Sequence, residues 1–507
     1  MFQALSTNDR VEKRTKLRSS MRFVEALGRS QSLHSSVDWW EPNPSRAKGG
    51  RKVEIGKVKH MRSKSKETLP ERVPFGAKPT GETPQISEWA QPVVWTDRML
   101  TTLLENKVRG GKWHALIDKV YEPLNLYAAA YKVVGKQGAA GVDKQTCEEF
   151  EASLLVQTRQ LSDEIKGNTY RPQAVRRVHI PKPGKPNETR PLGIPTVRDR
   201  VVQRAILNVI EPILDHHFHE RSFGFRHGRG AHDALRIVEQ KLQEGFVFVV
   251  DADLKGYFDT IPKDRLMSLL KERISDSRIL GLIQKFLDQN IMEELHEWTP
   301  VSGVPQGAVL SPVLSNLYLD PLDHKMSEAG LEMVRYADDF VVLCRSEFEA
   351  DIALQAIQEW VEQSGLTLHP TKTKIVDSRV ESFAFLGYSF REEKIYPRRE
   401  SLAKMKARIK ELTLRKRSDS MELIATELNR VLKGWFGYFR HSRWTIFTDL
   451  DAKIRSRLRR LLLKRHRTNP ERLPRQRRWP NTYFADIGLW SLREAHLRFA
   501  QSVRGNY

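Results

Sequence analysis

Two stretches of the sequence place aspartates at the ends of apolar, strand-like runs. Residues 246–252 predict a strand, and Asp253 follows directly after it. Asp338 and Asp339 stand side by side between two further apolar runs, as at the tip of a hairpin. Carboxylates from neighbouring strands can hold two divalent ions about 4 Å apart, which serves phosphoryl transfer. We therefore expect metal-dependent phosphoryl transfer, with Asp253 and Asp338 bridging the ions and Asp339 in weaker contact.

The surrounding sequence favours this interpretation over a structural one. A pair of acids in a turn is usually only solvated. Here the pair is embedded in apolar strand sequence, where an ionised carboxylate is costly unless a metal ion or a basic group compensates it. Because oxygen ligands suit Mg²⁺, two Mg²⁺ ions are the predicted cofactors.

The charge of the chain indicates a polyanionic partner. Its 507 residues carry a formal net charge of +22 with a pI near 9.8, and each phosphate that a protein neutralises strengthens binding by releasing counterions. Composition alone leaves open a basic surface that is only solvated or that attracts anionic lipid. Between residues 453 and 478, however, twelve Lys and Arg residues face a single Glu. That density favours nucleic acid.

Cysteine usage and hydropathy predict a soluble intracellular protein. Only Cys147 and Cys344 are present, too few for a disulfide framework or a Cys-rich zinc site. No run of about 18 apolar residues occurs, and the N-terminus lacks the apolar core of a signal peptide. We expect a cytoplasmic location in a bacterium and no membrane partner. The basic start at 13–20 leaves an organelle transit peptide as the alternative.

Strand-like and helical patterns alternate along the middle of the chain. Residues 383–390 predict a further strand, and helical spacing separates it from the acidic segments, which predicts an α+β fold with a helix-covered sheet. Residues 176–195 predict a basic hairpin around a Pro/Gly turn. Beyond Lys394 the strands end, and from Leu402 apolar residues recur at helical spacing. A second, helical domain is therefore expected.

Several motifs, in order, resemble those of reverse transcriptases. Tyr336-Ala337-Asp338-Asp339 looks like the active-site box of that family, and residues 253–258 look like its earlier metal-binding box. Residues 304–312 resemble the Pro-Gln-Gly segment that lines the nucleotide site. Together these motifs are far more specific than any one of them.

Other stretches narrow the resemblance to the reverse transcriptase/maturase proteins encoded within group II introns. Residues 190–195 and 222–226 are similar to segments typical of group II intron polymerases. The resemblance is clear over residues 124–390, and residues 434–439 extend it into the region called the maturase or thumb domain. The end of the chain resembles the type that lacks an endonuclease module.

The family resemblance implies an α+β right-hand polymerase fold, with fingers and palm followed by a helical thumb or maturase domain. It divides the chain into four parts. These are a flexible basic N-terminal extension at 1–85, reverse transcriptase fingers and palm at 86–393, a helical thumb/maturase domain at 394–465 and a basic C-terminal DNA-binding segment at 466–507.

The resemblance also assigns residues to the incoming nucleotide. The cationic ones suit phosphate, since Arg binds it bidentately and Lys as a point charge. Phe258 has an alternative role as an ordinary core residue. The implied set is Lys182 or Lys185 together with Arg190 at the triphosphate, Lys372 near the leaving pyrophosphate, Phe258 as a steric gate against a 2′-hydroxyl, and Gln306 at the nucleotide or template.

We therefore expect an RNA-directed DNA polymerase that extends a primer by two-metal phosphoryl transfer and binds its group II intron RNA to assist splicing and mobility. The expected partners are that intron RNA, an RNA template with a DNA primer, dNTPs and target DNA. The alternative is a non-enzymatic RNA-binding splicing factor on a polymerase fold, which the complete set of acidic residues argues against. Use of the same polymerase in phage defence or at a CRISPR locus stays open, because neighbouring genes decide it.

Overall fold

A computed structural model describes residues 94–504, apart from 106–107, 109–110, 183–184, 295 and 467–477. The predicted N-terminal extension at 1–85 lies outside the described residues, as do parts of the basic run and of the C-terminal segment. The backbones of Lys182 and Lys185 are described, whereas their side chains are not.

The first described part of the chain consists of helices and a long hairpin. The helices are α1 (Asp97–Leu104), α2 (Ile117–Tyr121), α3 (Pro123–Val134), α4 (Cys147–Ala152), α5 (Leu154–Lys166) and α6 (Val197–Asp215). Thr146 begins α4 with a capping box, since its hydroxyl accepts from the Glu149 N–H and the Glu149 carboxylate accepts from the Thr146 N–H. The hairpin predicted at 176–195 is confirmed as the antiparallel strands β1 (Val175–Lys182) and β2 (Lys185–Ile194).

The middle of the chain forms a four-stranded antiparallel sheet with helices on both faces. In chain order, the middle part contains α7 (Ala231–Gln243), β3 (Phe248–Asp253), α8 (Tyr257–Thr260), α9 (Lys263–Arg273), α10 (Ser277–Leu287), β4 (Ile291–Glu293), β5 (His296–Trp298), α11 (Ser311–Glu328), β6 (Glu332–Tyr336), β7 (Asp339–Cys344), α12 (Glu347–Gln363) and β8 (Lys374–Asp377). The sheet order is β6-β7-β3-β8, while β4 and β5 join the hairpin in a second sheet of order β2-β1-β4-β5. The predicted helix-covered sheet is confirmed.

Alternation along β3 and β7 sends side chains into two separate apolar cores. Val250 and Val342 face the large core shared with the first helices and α11, and Val249 and Val341 face a smaller core against α7. At the strand ends this second face carries aspartates instead of apolar residues. The alternation therefore places these carboxylates on one face, at one end of the sheet.

The rest of the described chain is a small sheet followed by helices. Strands β9 (Phe383–Phe385), β10 (Tyr388–Arg391) and β11 (Lys394–Pro397) precede α13 (Arg399–Leu412), α14 (Met421–Phe439), α15 (Trp444–Arg465), α16 (Asn481–Asp486) and α17 (Leu492–Arg504). The strand predicted at 383–390 is divided by a turn at Leu386 and Gly387, whose φ values are 47° and 76°. The strands continue to Pro397 rather than ending at Lys394, because β11 pairs with β10 across a second tight turn. The predicted helical region follows, around an apolar core of its own.

Candidate active site

Three predicted aspartates come together at one end of the central sheet. Asp253, the last residue of β3, lies directly opposite Asp339, the first residue of β7. Asp338 occupies the turn between β6 and β7, beside Ala337, whose φ of 60° is left-handed. The tight turn lets two consecutive aspartates stand at the strand end where Asp253 also ends. The structure thus brings together the three residues that the sequence singled out.

A buried arginine supports the turn that carries Asp338. Arg335 has no solvent exposure, and its Nε lies 2.8 Å and 3.0 Å from the carboxylate oxygens of Asp323. Its Nη1 donates to the Asn316 side-chain oxygen and to the Ala337 carbonyl, both at 2.9 Å. A bidentate pair with two further hydrogen bonds fixes the guanidinium in one orientation. Arg335 therefore holds the carbonyl just before Asp338.

The segment 222–226 supports the same turn from the side. The Asn316 amide donates to the Gly224 carbonyl at 2.7 Å, and the Phe223 N–H donates to the Arg335 carbonyl at 2.9 Å. A Cβ at Gly224 would lie 2.2 Å from the backbone nitrogen of Ala337. This glycine is thus required for close approach of two backbones. The family resemblance identified segment 222–226 without giving it a role. Its contact with the Ala337 backbone indicates that it supports the turn before Asp338.

Gly224→Ala is expected to lower nucleotide incorporation at least about tenfold and to destabilise the fold by about 1–3 kcal/mol, because the added methyl group displaces the turn that carries Asp338. Single-turnover incorporation and thermal unfolding measure the two effects. Gly281→Ala in α10 is the matched control, since no heavy atom lies within 4 Å of a Cβ placed there. Normal activity in Gly224→Ala would show that the turn tolerates this displacement.

The aspartates sit where the protein disfavours negative charge. Burial raises the pKa of Asp338, and the nearby Asp253 raises it further. Desolvation by the surrounding protein, together with the charges of Asp251 and Asp338, raises the pKa of Asp339 to about 7, although the residue keeps access to solvent. A raised pKa means that ionising these groups together costs free energy unless positive charge joins them.

Asp251 belongs to the same cluster, although the sequence analysis did not assign it. It precedes Asp253 by two residues on β3 and therefore shares its face. Burial raises the pKa of Asp251 to about 6, while Lys374 and Arg398 lower it. The signal was present in the spacing of the two aspartates, since residues two apart on a strand share a face, but the sequence analysis assigned a role only to Asp253. The two basic residues come from later segments and were also missed.

Lys372, predicted near the pyrophosphate, contacts the cluster directly. Its Nζ lies 2.7 Å from a carboxylate oxygen of Asp253. The loop that carries it follows β3 closely, because the His369 N–H donates to the Asp253 carbonyl at 2.7 Å. The exposed ammonium group of Lys372 is thus paired with a predicted metal ligand.

Phe258 and Gln306 lie on adjoining segments between the central sheet and the hairpin. The Val304 N–H donates to the Phe258 carbonyl and the Gly193 N–H donates to the Gln306 carbonyl, both at 2.7 Å. Phe258 is half-buried and packs against the large core. This position is compatible with either predicted role, a steric gate or an ordinary core residue. Arg190 is exposed on β2, opposite Ile180. A cavity of about 370 Å³ opens beside Gln306 and Gly193.

The residue types at this end of the sheet fit hard divalent cations, although the three neighbouring side chains do not point at one common position. Asp253, Asp338 and Asp339 offer carboxylate oxygens only, the ligands that Mg²⁺ prefers. Among the residues that the structure describes, no three acidic, His or Cys side chains stand close enough to hold an ion. The pKa values raised by burial and by mutual repulsion are those of a site that binding of positive charge would stabilise.

Comparison with known proteins identifies the family. A model described as reverse transcriptase (RNA-dependent DNA polymerase) matches residues 180–390, and one described as the group II intron maturase-specific domain matches residues 402–479. Protein YkfC of Escherichia coli strain K12 is 33% identical over 314 residues, which make up 54% of this chain and 82% of YkfC. Group II intron-encoded protein LtrA of Lactococcus lactis subsp. cremoris is 35% identical over 217 residues. This chain belongs to the group II intron reverse transcriptase/maturase family.

Family membership confirms the resemblance, the α+β polymerase fold and the enzyme class, RNA-directed DNA polymerase. It implies divalent metal ions and nucleic-acid templates in general, and intron RNA as a partner of the maturase region. The match with LtrA covers 41% of this chain and 35% of LtrA, so the chain spans about a third of that relative. No helix in the described part of the chain is long and apolar enough to cross a membrane.

The basic face of the maturase region is only partly available to a polyanion. Arg459 is buried and donates to the Trp479 carbonyl at 2.9 Å, and Arg457 donates to the Thr413 hydroxyl at 2.6 Å. Arg465 likewise donates to the Arg417 carbonyl at 3.1 Å. The density of basic residues in the sequence therefore overstated how many guanidinium groups are free to contact a polyanion, because these three donate to oxygens of the protein. Lys453, Arg460, Lys464 and Arg478 remain exposed.

Proposed function

We propose that this chain extends a DNA primer on an RNA template and binds its group II intron RNA to assist splicing and mobility. The proposal rests on one observation: Asp253, Asp338 and Asp339 lie next to one another at the same end of the central sheet. In the reaction, the primer 3′-hydroxyl oxygen bonds to the α-phosphorus of a dNTP and pyrophosphate leaves.

The three aspartates are proposed as the catalytic and metal-binding residues. Asp253 and Asp338 would hold two Mg²⁺ ions between them, with Asp339 in weaker contact. When bound, such ions activate the primer hydroxyl and stabilise the leaving pyrophosphate. Arg335 keeps the turn in place, and Asp251 adds negative charge on the same face.

The nucleotide-binding roles are proposed for residues near the end of the sheet that carries the aspartates. Lys372, paired with Asp253 in the absence of substrate, would donate to the pyrophosphate once the ion pair opens. Phe258 would press on the sugar and exclude a 2′-hydroxyl, and Gln306 would contact the nucleotide or template. Lys182, Lys185 and Arg190 on the hairpin would bind the triphosphate.

Intron RNA binding is proposed for the basic surfaces of the chain, with target DNA bound by the segment at 466–507. The support is the net charge of +22 and the maturase-specific match at 402–479. Neutralising phosphates with exposed Lys and Arg gives binding that weakens steeply with salt. The ribozyme would perform the splicing chemistry, with the protein stabilising its fold.

The test is extension of a labelled DNA primer on an RNA template by the full chain. We expect dNTP-dependent extension with Mg²⁺ and none after chelation. A folded wild-type protein that binds intron RNA tightly but extends no primer under any divalent ion would overturn the polymerase proposal and favour the non-enzymatic splicing factor.

A further inference from the structure

The turn at Leu386 and Gly387 lies between the catalytic aspartates and the maturase helix α14. The backbone of Leu386 favours the charged form of Asp339 and so lowers the pKa of that carboxyl, and Asp339 pairs across the β6–β7 turn with Tyr336. The Leu386 side chain packs in the same apolar cluster as Tyr336, which precedes the turn that carries Asp338. The turn therefore lies beside Asp339 and shares an apolar cluster with Tyr336, the cross-strand partner of Asp339.

Tyr438, near the end of α14, holds the other side of this turn. Its hydroxyl donates to the Leu386 carbonyl at 2.8 Å. Its ring lies against Gly387, since a Cβ built there would be 3.8 Å from Tyr438 Cε1. Tyr438 also belongs to the apolar cluster that includes Leu386 and Tyr336. The hydroxyl thus fixes the carbonyl of the residue whose backbone favours the charged form of Asp339.

Tyr438 is itself fixed by two other elements. Its carbonyl accepts a hydrogen bond from the Tyr388 hydroxyl on β10 and another from His232 Nε2 on α7, the latter at 2.8 Å. Because a carbonyl only accepts, His232 must carry its proton on Nε2. Hydrogen bonds thereby connect Tyr438 of α14 to α7, to the small sheet of β9–β11 and to the turn beside Asp339.

We propose that Tyr438 is a positioning residue for polymerisation, through which the maturase helix sets the orientation of Asp339. The proposal rests on the polymerase function proposed above. It implies that movement of α14, for example when RNA binds the maturase region, alters the carboxylate cluster without any contact between that RNA and the active site. The hydrogen-bonded turn is the physical connection.

Tyr438→Phe tests this, because it keeps the ring and removes only the hydroxyl. We expect kcat for dNTP incorporation to fall about tenfold, the effect of losing one hydrogen bond that positions a catalytic group. The KM for dNTP, the Kd for primer–template and the midpoint of thermal unfolding are expected to stay close to wild type. Tyr396→Phe is the matched control, since its hydroxyl only accepts from Arg443 at 3.4 Å on the exposed side of the same sheet.

Binding of Mn²⁺ to the full chain without nucleotide, followed by electron paramagnetic resonance, gives a readout independent of turnover. Tyr438→Phe is expected to bind Mn²⁺ several-fold more weakly, with Tyr396→Phe unchanged. Should Tyr438→Phe fail to fold, Tyr388→Phe removes one donor to the Tyr438 carbonyl, and a smaller loss of kcat with weaker Mn²⁺ binding is expected.

The outcomes separate the two proposals. An inactive wild-type protein refutes the polymerase function itself. Active wild type with unchanged kcat and Mn²⁺ binding in Tyr438→Phe refutes the positioning role alone. A fall in unfolding midpoint with kcat restored at lower temperature assigns Tyr438 to stability only, which also overturns the inference.

Discussion

Asp338→Asn is expected to reduce nucleotide incorporation by about 10²- to 10³-fold or more, the loss typical of removing one preorganised electrostatic group. The substitution keeps the shape of the side chain and removes its charge. Because burial and Asp253 raise the pKa of Asp338, the charged form is disfavoured in the folded protein. Removing the charge should therefore leave the unfolding midpoint unchanged or slightly higher at neutral pH.

The control for this change is Asp351→Asn, which removes an exposed aspartate of α12. Single-turnover extension, circular dichroism and intron RNA binding should be measured for both variants. If the proposed function holds, Asp338→Asn should stimulate splicing as wild type does, since the RNA would perform that chemistry. Retained incorporation would remove Asp338 from the catalytic set, and complete loss of splicing stimulation by a folded variant would contradict the division of labour.

Arg335→Met is expected to destabilise the protein by about 3–5 kcal/mol, the cost of leaving a buried charge unpaired. Asp323 is 3% exposed and loses its bidentate partner, and the Asn316 and Ala337 oxygens lose their donors. Denaturant unfolding measures this loss. Arg408→Met, in an exposed pair with Glu411 at 2.6 Å, is the control and should change stability by less than about 1 kcal/mol.

A second variant distinguishes the effect of Arg335 on stability from its effect on activity. Arg335→Met combined with Asp323→Leu removes both charges, and apolar replacements of buried pairs are often neutral. We expect it to recover much of the stability, yet to remain poorly active because nothing then donates to the Ala337 carbonyl. Full activity in the double variant would mean that this hydrogen bond does not position Asp338.

The sequence predicted the chemistry-bearing elements because their signals are local. An aspartate at the end of an apolar strand, a Pro/Gly turn among basic residues and an acidic pair between two apolar runs each occupy a short stretch. The strands that carry Asp253 and Asp339, and the hairpin at 176–195, accordingly appear where they were expected. Element ends were less exact, as β11 shows by extending to Pro397.

Contacts between distant segments could not be predicted, because no local pattern encodes them. Asp251 looked like any strand residue until the register of β3 and β7 placed it in the cluster. The arginines of α15 looked like an anion-binding surface until packing turned Arg457, Arg459 and Arg465 onto protein oxygens. Charge counts along a sequence do not show which basic side chains a fold will bury or engage in hydrogen bonds with its own oxygens.

By itself the sequence determined the kind of reaction, the class of partner and the three aspartates on which the reaction is proposed to depend, since residue types and short spacings carry that information. The tertiary structure alone decided what holds those aspartates in place. Arg335 beneath the turn, Gly224 at its side and Tyr438 beyond the Leu386 turn lie far apart in the chain. Their contacts exist only because separate apolar faces pack against one sheet, and that packing depends on the whole fold.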